Sequence, residues 1–147
     1  MVVPLSLERT YLDSFNLLCG ELLGSGISRY VYECTIDPSL VVKVESSESR
    51  RFANVFENAF WVDYQYMPKV AAWLAPCVKL SPDGRVLLQK RCQPLPHDYV
   101  LPEKLPAFLT DHKRGNFGLY QGRLVCVDYA MTTLNPSMVL RKAYFTS

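Results

Sequence analysis

At 147 residues, with 49% apolar and 20% charged side chains, the chain has the composition of one folded domain and not of a disordered segment. Sixteen Lys and Arg against fourteen Asp and Glu leave a net charge of +2. The basic residues are scattered, so there is no electrostatic footprint for nucleic acid. The longest apolar stretch, around Val70 to Val78, is interrupted by Pro76 and is too short to span a bilayer. No basic region followed by an apolar core opens the chain.

The five cysteines, Cys19, Cys34, Cys77, Cys92 and Cys126, form no C-x-x-C pair and sit in apolar runs, as buried reduced thiols do. They point to a reducing, cytoplasmic setting. With His97 and His112 the only histidines, a zinc site is not expected.

Taken in chain order, Leu5, Leu7, Leu12, Phe15, Leu18 and Leu22 recur at near-helical intervals and predict an amphipathic helix that Gly20 loosens or ends. From Leu22 to Glu33 the pattern becomes strand, Gly-rich turn, strand. Ile36-Asp37-Pro38-Ser39 is a turn signal, and the β-branched run Leu40 to Val44 predicts a strand. Ser46 to Ser49 offers N-caps for a second helix reaching about Tyr66. A short helix is expected over Lys69 to Leu74. Residues 78–80 and 85–89 flank the turn Ser81-Pro82-Asp83-Gly84 as a hairpin. The proline-marked stretch Pro94 to Pro106 reads as a surface connector. Phe117 to Tyr120 and Arg123 to Val127, around Gln121-Gly122, form a second hairpin. A short tail follows Asp128.

Several of these elements carry residues suited to phosphate chemistry. Gly24-Ser25-Gly26 sits between two strands, where backbone N–H groups can approach a phosphate. Arg29 follows in the same loop and would either contact phosphate or substrate, or stiffen the loop. Lys43 lies among apolar strand neighbours and points to solvent or into a cleft. Ala53, Glu57, Phe60 and Tyr64 share one helix face. A lone carboxylate on a mostly apolar face needs a cationic partner, and Lys43 is the natural candidate.

In this order, the Gly24 to Val31 loop, Lys43, Glu57, Asp111-His112-Lys113-Arg114-Gly115-Asn116 and Val125-Cys126-Val127-Asp128 resemble the nucleotide-binding and catalytic elements of protein kinases. Gly115-Asn116-Phe117-Gly118 and Val127-Asp128-Tyr129 are similar to strings in small kinase-like proteins of bacteriophages. The resemblance covers roughly Leu22 to Ala130. It implies an α+β, protein-kinase-like fold in a single domain. Residues 1–92 would form a small antiparallel-sheet N-lobe with a helix and the hinge, and residues 93–147 a catalytic-loop hairpin in a strongly reduced C-lobe.

The resemblance further implies ATP and Mg²⁺ as ligands. Gly24, Ser25, Gly26, Arg29 and Lys43 would hold the phosphates, and the hinge from Gln89 through Arg91 to Cys92 would meet adenine. Lys43 would pair with Glu57, Asp111 would orient or deprotonate the acceptor hydroxyl, and Lys113 would neutralise the γ-phosphate. Asn116 and Asp128 would ligate magnesium.

The chain departs from the family in four ways. Arg29 replaces the third loop glycine, Leu109-Thr110 replaces the usual His-Arg, and Asp128-Tyr129-Ala130 replaces Asp-Phe-Gly. After Asp128 there is no room for an activation segment or peptide-docking helices. Three readings follow. The first is a minimal phosphotransferase acting on a Ser/Thr hydroxyl or a small molecule. The second is a pseudokinase-like protein that captures a host or other partner protein. The third is an unrelated α+β domain with coincidental spacing. Apolar surface left by the missing lobe would suit a homodimer or a target protein.

Overall fold

A computed structural model describes Phe15 and residues 17–132 and 136–147. The fold is α+β, with mostly antiparallel sheets and two helices among these residues. Most of the expected N-terminal helix lies outside the described residues. Its C-terminal end differs from the expectation in that β1 (Cys19–Ser25) begins three residues before Leu22 and takes in Gly20.

β1 pairs with β2 (Arg29–Cys34), which pairs with β3 (Leu40–Glu45). The turn before β3 is closed by Asp37, whose carboxylate accepts from the Ser39 N–H at 2.9 Å. β4 (Cys77–Leu80) and β5 (Val86–Lys90) complete a five-stranded sheet in the order β1-β2-β3-β5-β4. Gly84 ends the β4–β5 turn at φ 76°, a left-handed conformation that a side chain resists.

Helix α1 (Ala53–Tyr64) packs on this sheet. Its N-terminus departs from the serine caps expected over Ser46 to Ser49. The N-cap position is Phe52, at φ 52° and without a side-chain cap. The carboxylate of Glu45, at the end of β3, accepts from the Asn54 N–H at 2.6 Å instead. A strand end thus satisfies a donor that the first helical turn leaves open. Helix α2 (Pro68–Ala71) is shorter than expected, with Pro68 in its first turn, where a missing N–H costs nothing.

The proline-marked stretch is more than a connector. It contributes β6 (Gln93–Pro94) and β7 (Lys104–Pro106). β6 joins β8 (Phe117–Tyr120) and β9 (Arg123–Cys126) in a three-stranded sheet. β8 and β9 meet at Gln121-Gly122, both at positive φ (51° and 79°), which matches the right-handed twist of a two-residue hairpin. The tail also carries structure: β10 (Leu140–Lys142) pairs antiparallel with β7.

One apolar cluster joins these parts. Phe60 from α1, Val70 from α2, Leu87 from β5, Leu105 from β7, Phe117 from β8 and Cys126 from β9 all belong to it. Two backbone hydrogen bonds, Ala75 N–H to Cys126 O (3.0 Å) and Cys126 N–H to Trp73 O (2.7 Å), pin β9 against the chain that follows α2. This seam brings the segment after β9 beneath β3 and α1. No described helix is long and apolar enough to cross a membrane.

Candidate functional site

Lys43 sits mid-strand in β3, opposite Val31 of β2 and Leu87 of β5, and is 4% exposed. Its ammonium therefore needs acceptors inside the protein. Nζ lies 2.5 Å from Glu57 Oε1 and also donates to the backbone carbonyl of Val127. Glu57 is fully buried on the inner face of α1, and the same Oε1 accepts from Gln89 Nε2 at 2.9 Å.

Arg29, at the first position of β2, is buried as well. Its Nη2 stands 2.6 Å from Glu57 Oε2 and 2.8 Å from Asp128 Oδ1. Its Nη1 donates to Asn54 Oδ1 at 3.2 Å. The contact with Glu57 Oε2 is an ion pair by distance, but that oxygen accepts no aligned hydrogen bond among the described residues. Burial alone would lower the Arg29 pKa. Glu57, then Asp128 and Glu45, outweigh it and hold the guanidinium above its ordinary value.

Asn54 braces the cluster from α1. Its side-chain amide donates to the carbonyls of Lys43 and Arg85, both at 3.0 Å. Glu45 lies directly across from Arg29 in the β2–β3 register, and its Oε2 is buried without a hydrogen-bond partner among the described residues. The cluster thus holds two cations, Arg29 and Lys43, against three carboxylates, Glu45, Glu57 and Asp128. Of the three carboxylates, Asp128 alone reaches solvent, with a side chain 48% exposed.

Asp128 follows β9. Asn116 closes a 3-10 turn (Arg114–Asn116) just before β8, and its carbonyl accepts from the Val127 N–H at 2.7 Å. Residue 127 thereby links Lys43 on one side to Asn116 on the other. Asp111 and Asp128 line one hollow together with Thr110, Met131 and Thr132. That hollow is about 10 Å³, space for roughly one water molecule. Asp111 and Lys113 are exposed, and the Asp111 carboxylate accepts from the Lys113 N–H at 3.2 Å.

The structure thus gathers Arg29, Lys43, Glu57 and Asp128 in direct contact, with Asn116 and Asp111 adjoining. Other expected site residues stand apart. Gly24, Ser25 and Gly26 form an exposed hairpin tip, closed by the Gly26 N–H donating to Arg29 O at 2.9 Å. An added Cβ at Gly24 or Gly26 would meet nothing within 4 Å, so no protein packing demands glycine there. The Gln89 side chain is spent on Glu57. Arg91 pairs with Glu33 at 3.3 Å, and its N–H donates to Ser39 O at 2.8 Å. A wider groove of about 420 Å³, lined by residues including Ser39, Lys90, Arg91 and Tyr120, lies outside the ion cluster.

Two contributors were not among the expected site residues. Asn54 carries no charge, so nothing in the sequence marks it beyond its place one turn before Glu57. Glu45 is signalled only by its two-residue spacing from Lys43, which places both on one face of β3.

For a magnesium ion, the oxygen donors would be Asp128 and Asn116, whose backbone carbonyl is held on the Val127 N–H. They are of the hard type that such a cation takes. No group of three or more His, Cys, Asp and Glu among the described residues is arranged to hold a metal ion, so phosphate oxygens and water would complete its shell. No protein-family model and no curated protein matches the chain.

Proposed function

We propose that the chain is a kinase-like protein that binds ATP with Mg²⁺ and transfers the γ-phosphoryl group to a Ser/Thr hydroxyl or a small-molecule acceptor. The observation that carries this reading is the buried Lys43–Glu57 pair, with Lys43 also held on Val127 next to Asp128. Packing alone gives no reason to retain it, since a buried ion pair is often no better than apolar side chains of the same size. It gains a purpose if Lys43 is presented to phosphate oxygens.

In this reading the α- and β-phosphates lie against Lys43 under the loop Gly24 to Gly26, whose open tip leaves room for close approach. Asn116 and Asp128 would hold the metal, which when bound would supply positive charge against the phosphates. Asp111 accepts the proton of the acceptor hydroxyl as its oxygen bonds to the γ-phosphorus. The bond to the β-phosphate oxygen breaks, and ADP leaves. Lys113, exposed beside Asp111, meets the γ-phosphate. Adenine would rest near the Gln89 to Cys92 segment, using groups other than the Arg91 N–H, which Ser39 already occupies.

A second reading, a pseudokinase-like protein that captures a partner without phosphotransfer, is favoured by a different observation. Arg29 already pairs with Asp128, and the hollow beside Asp111 is small. The two readings separate in a γ-labelled ATP assay of wild type and Asp111→Asn, following label transfer to protein and release of phosphate. Turnover in wild type that falls at least about 10²-fold in the variant supports phosphotransfer. No turnover in either, with both folded, leaves the binding reading.

A further inference from the structure

Among the described residues, Arg29 makes the one ion pair of Asp128, and the two residues are 99 positions apart. They join the first position of β2 to the segment after β9. The two ends of this ion pair differ sharply in environment. Arg29 is buried and fixed by Glu57 and Asn54, whereas Asp128 is about half exposed. Pulling Arg29 out would leave Glu57 Oε2 and Asn54 Oδ1 buried without their cation, which is costly. Releasing Asp128 would return a half-solvated carboxylate to water or to another cation. The cluster also holds one carboxylate more than it has cations, and Asp128 is the member that solvent reaches.

We propose that Arg29 is a positioning residue that sets the metal dependence of the site: it occupies Asp128 in the resting protein, and a divalent cation must take Asp128 from it while Arg29 stays on Glu57. The proposal rests on the reading that Asp128 is a metal ligand. It deepens that reading by assigning Arg29 to competition with the metal instead of contact with phosphate. Lys43 is not part of the exchange, since its acceptors are Glu57 and Val127. Metal-free nucleotide would therefore find Lys43 in place, and metal would be the weaker ligand until Asp128 is released.

Two measurements on the full chain test this. The first titrates Mn²⁺ alone, without nucleotide, into wild type, Arg29→Gln and Asp128→Asn, reading free Mn²⁺ by electron paramagnetic resonance. The expected result is binding to Arg29→Gln at least about tenfold tighter than to wild type, because a competing cation beside the carboxylate is gone, and none to Asp128→Asn. The second follows the Arg29 Nε–H resonance of wild type during Mg²⁺ titration. It should shift saturably as Asp128 departs, and not at all in Asp128→Asn. This arm decides the matter if Arg29→Gln does not fold.

Equal Mn²⁺ affinity in wild type and Arg29→Gln, weaker binding to Arg29→Gln, or a static Arg29 resonance in metal-saturated wild type would overturn the proposal. So would absence of metal binding in both wild type and Arg29→Gln. The nucleotide reading is judged separately, by whether ATP in EDTA binds wild type and not Lys43→Met.

Discussion

Glu57 receives Lys43 and Gln89 on one oxygen and faces Arg29 with the other. Replacing Lys43 by Met removes a buried cation but leaves Arg29 to compensate. Replacing Glu57 by Leu strands two buried cations at once. The expected order is therefore a loss of about 2 kcal/mol for Lys43→Met and about 3–5 kcal/mol for Glu57→Leu, measured by urea unfolding at neutral pH. The reverse order would mean that Arg29 is not a true partner of Glu57.

The thiols give the residue scale a pH signature. Burial, followed by the nearby Glu57 charge, raises the Cys77 pKa from 9.0 to about 11, and burial pushes Cys126 higher still. A folded-state pKa above the unfolded value favours the protonated form. The resulting stability is complete below pH 9 and is lost as pH rises toward 11. The unfolding midpoint should fall over that window, and more gently in Cys77→Ala. The Lys43–Glu57 partnership was legible in the sequence because strand alternation and helix periodicity each place one charge on an apolar face. The Arg29–Asp128 contact was not, since nothing local to either residue tells how β2 lies over the end of β9.

At the scale of elements, turns and caps separate what local chemistry decides from what tertiary context decides. The Ser81 to Gly84 turn follows its residues: Asp83 accepts from the Arg85 N–H at 3.0 Å, and Gly84 takes positive φ. A Cβ at Gly84 would stand 2.7 Å from Val55 Cγ2. Gly84→Ala should therefore cost about 1–2 kcal/mol, the left-handed penalty and the contact acting together, as read by thermal unfolding. The α1 cap was illegible, because it comes from Glu45 on another strand while the serines upstream are passed over.

The C-terminal tail escaped the sequence reading for a related reason. β10 is three exposed residues, with no apolar alternation to mark a strand. Yet beyond it Phe145 packs edge-on against Phe117 at 5.4 Å, and the Thr146 carbonyl accepts from the Arg114 N–H at 2.7 Å. The imidazole of His112 accepts from the Tyr144 N–H at 3.1 Å. Deleting residues 137–147 should raise amide exchange over residues 111–116, the segment the tail holds, well before it affects β3 and β5. Uniform exchange across the chain would show instead that the tail supports the whole fold.

At the scale of the molecule, the arrangement is a five-stranded sheet with α1, joined through one apolar cluster to a smaller three-stranded sheet whose last strand leads into Asp128. Within the order β1-β2-β3-β5-β4, the pairs β1-β2, β2-β3 and β4-β5 are antiparallel neighbours joined by short turns, while residues 46–76, with α1 and α2, carry the chain from β3 to β4. Most of the strands were readable from β-branched runs and Gly or Pro punctuation. The seam between the sheets was not readable. It depends on backbone bonds between Trp73, Ala75 and Cys126, which any residues at those positions could make. That seam brings Asp128 to Arg29, and with it the polar residues of both parts into one place.

The central claim is that this place binds a metal–nucleotide complex. The most direct test is thermal unfolding of wild type and Asp128→Asn, each with and without Mg-ATP. At about a hundred times its dissociation constant, Mg-ATP should stabilise wild type by about 2.7 kcal/mol. The gain should be larger with magnesium than with ATP in EDTA, and that magnesium-dependent part should vanish in Asp128→Asn. An unchanged midpoint in well-folded wild type, or an equal gain in the variant, would contradict the account.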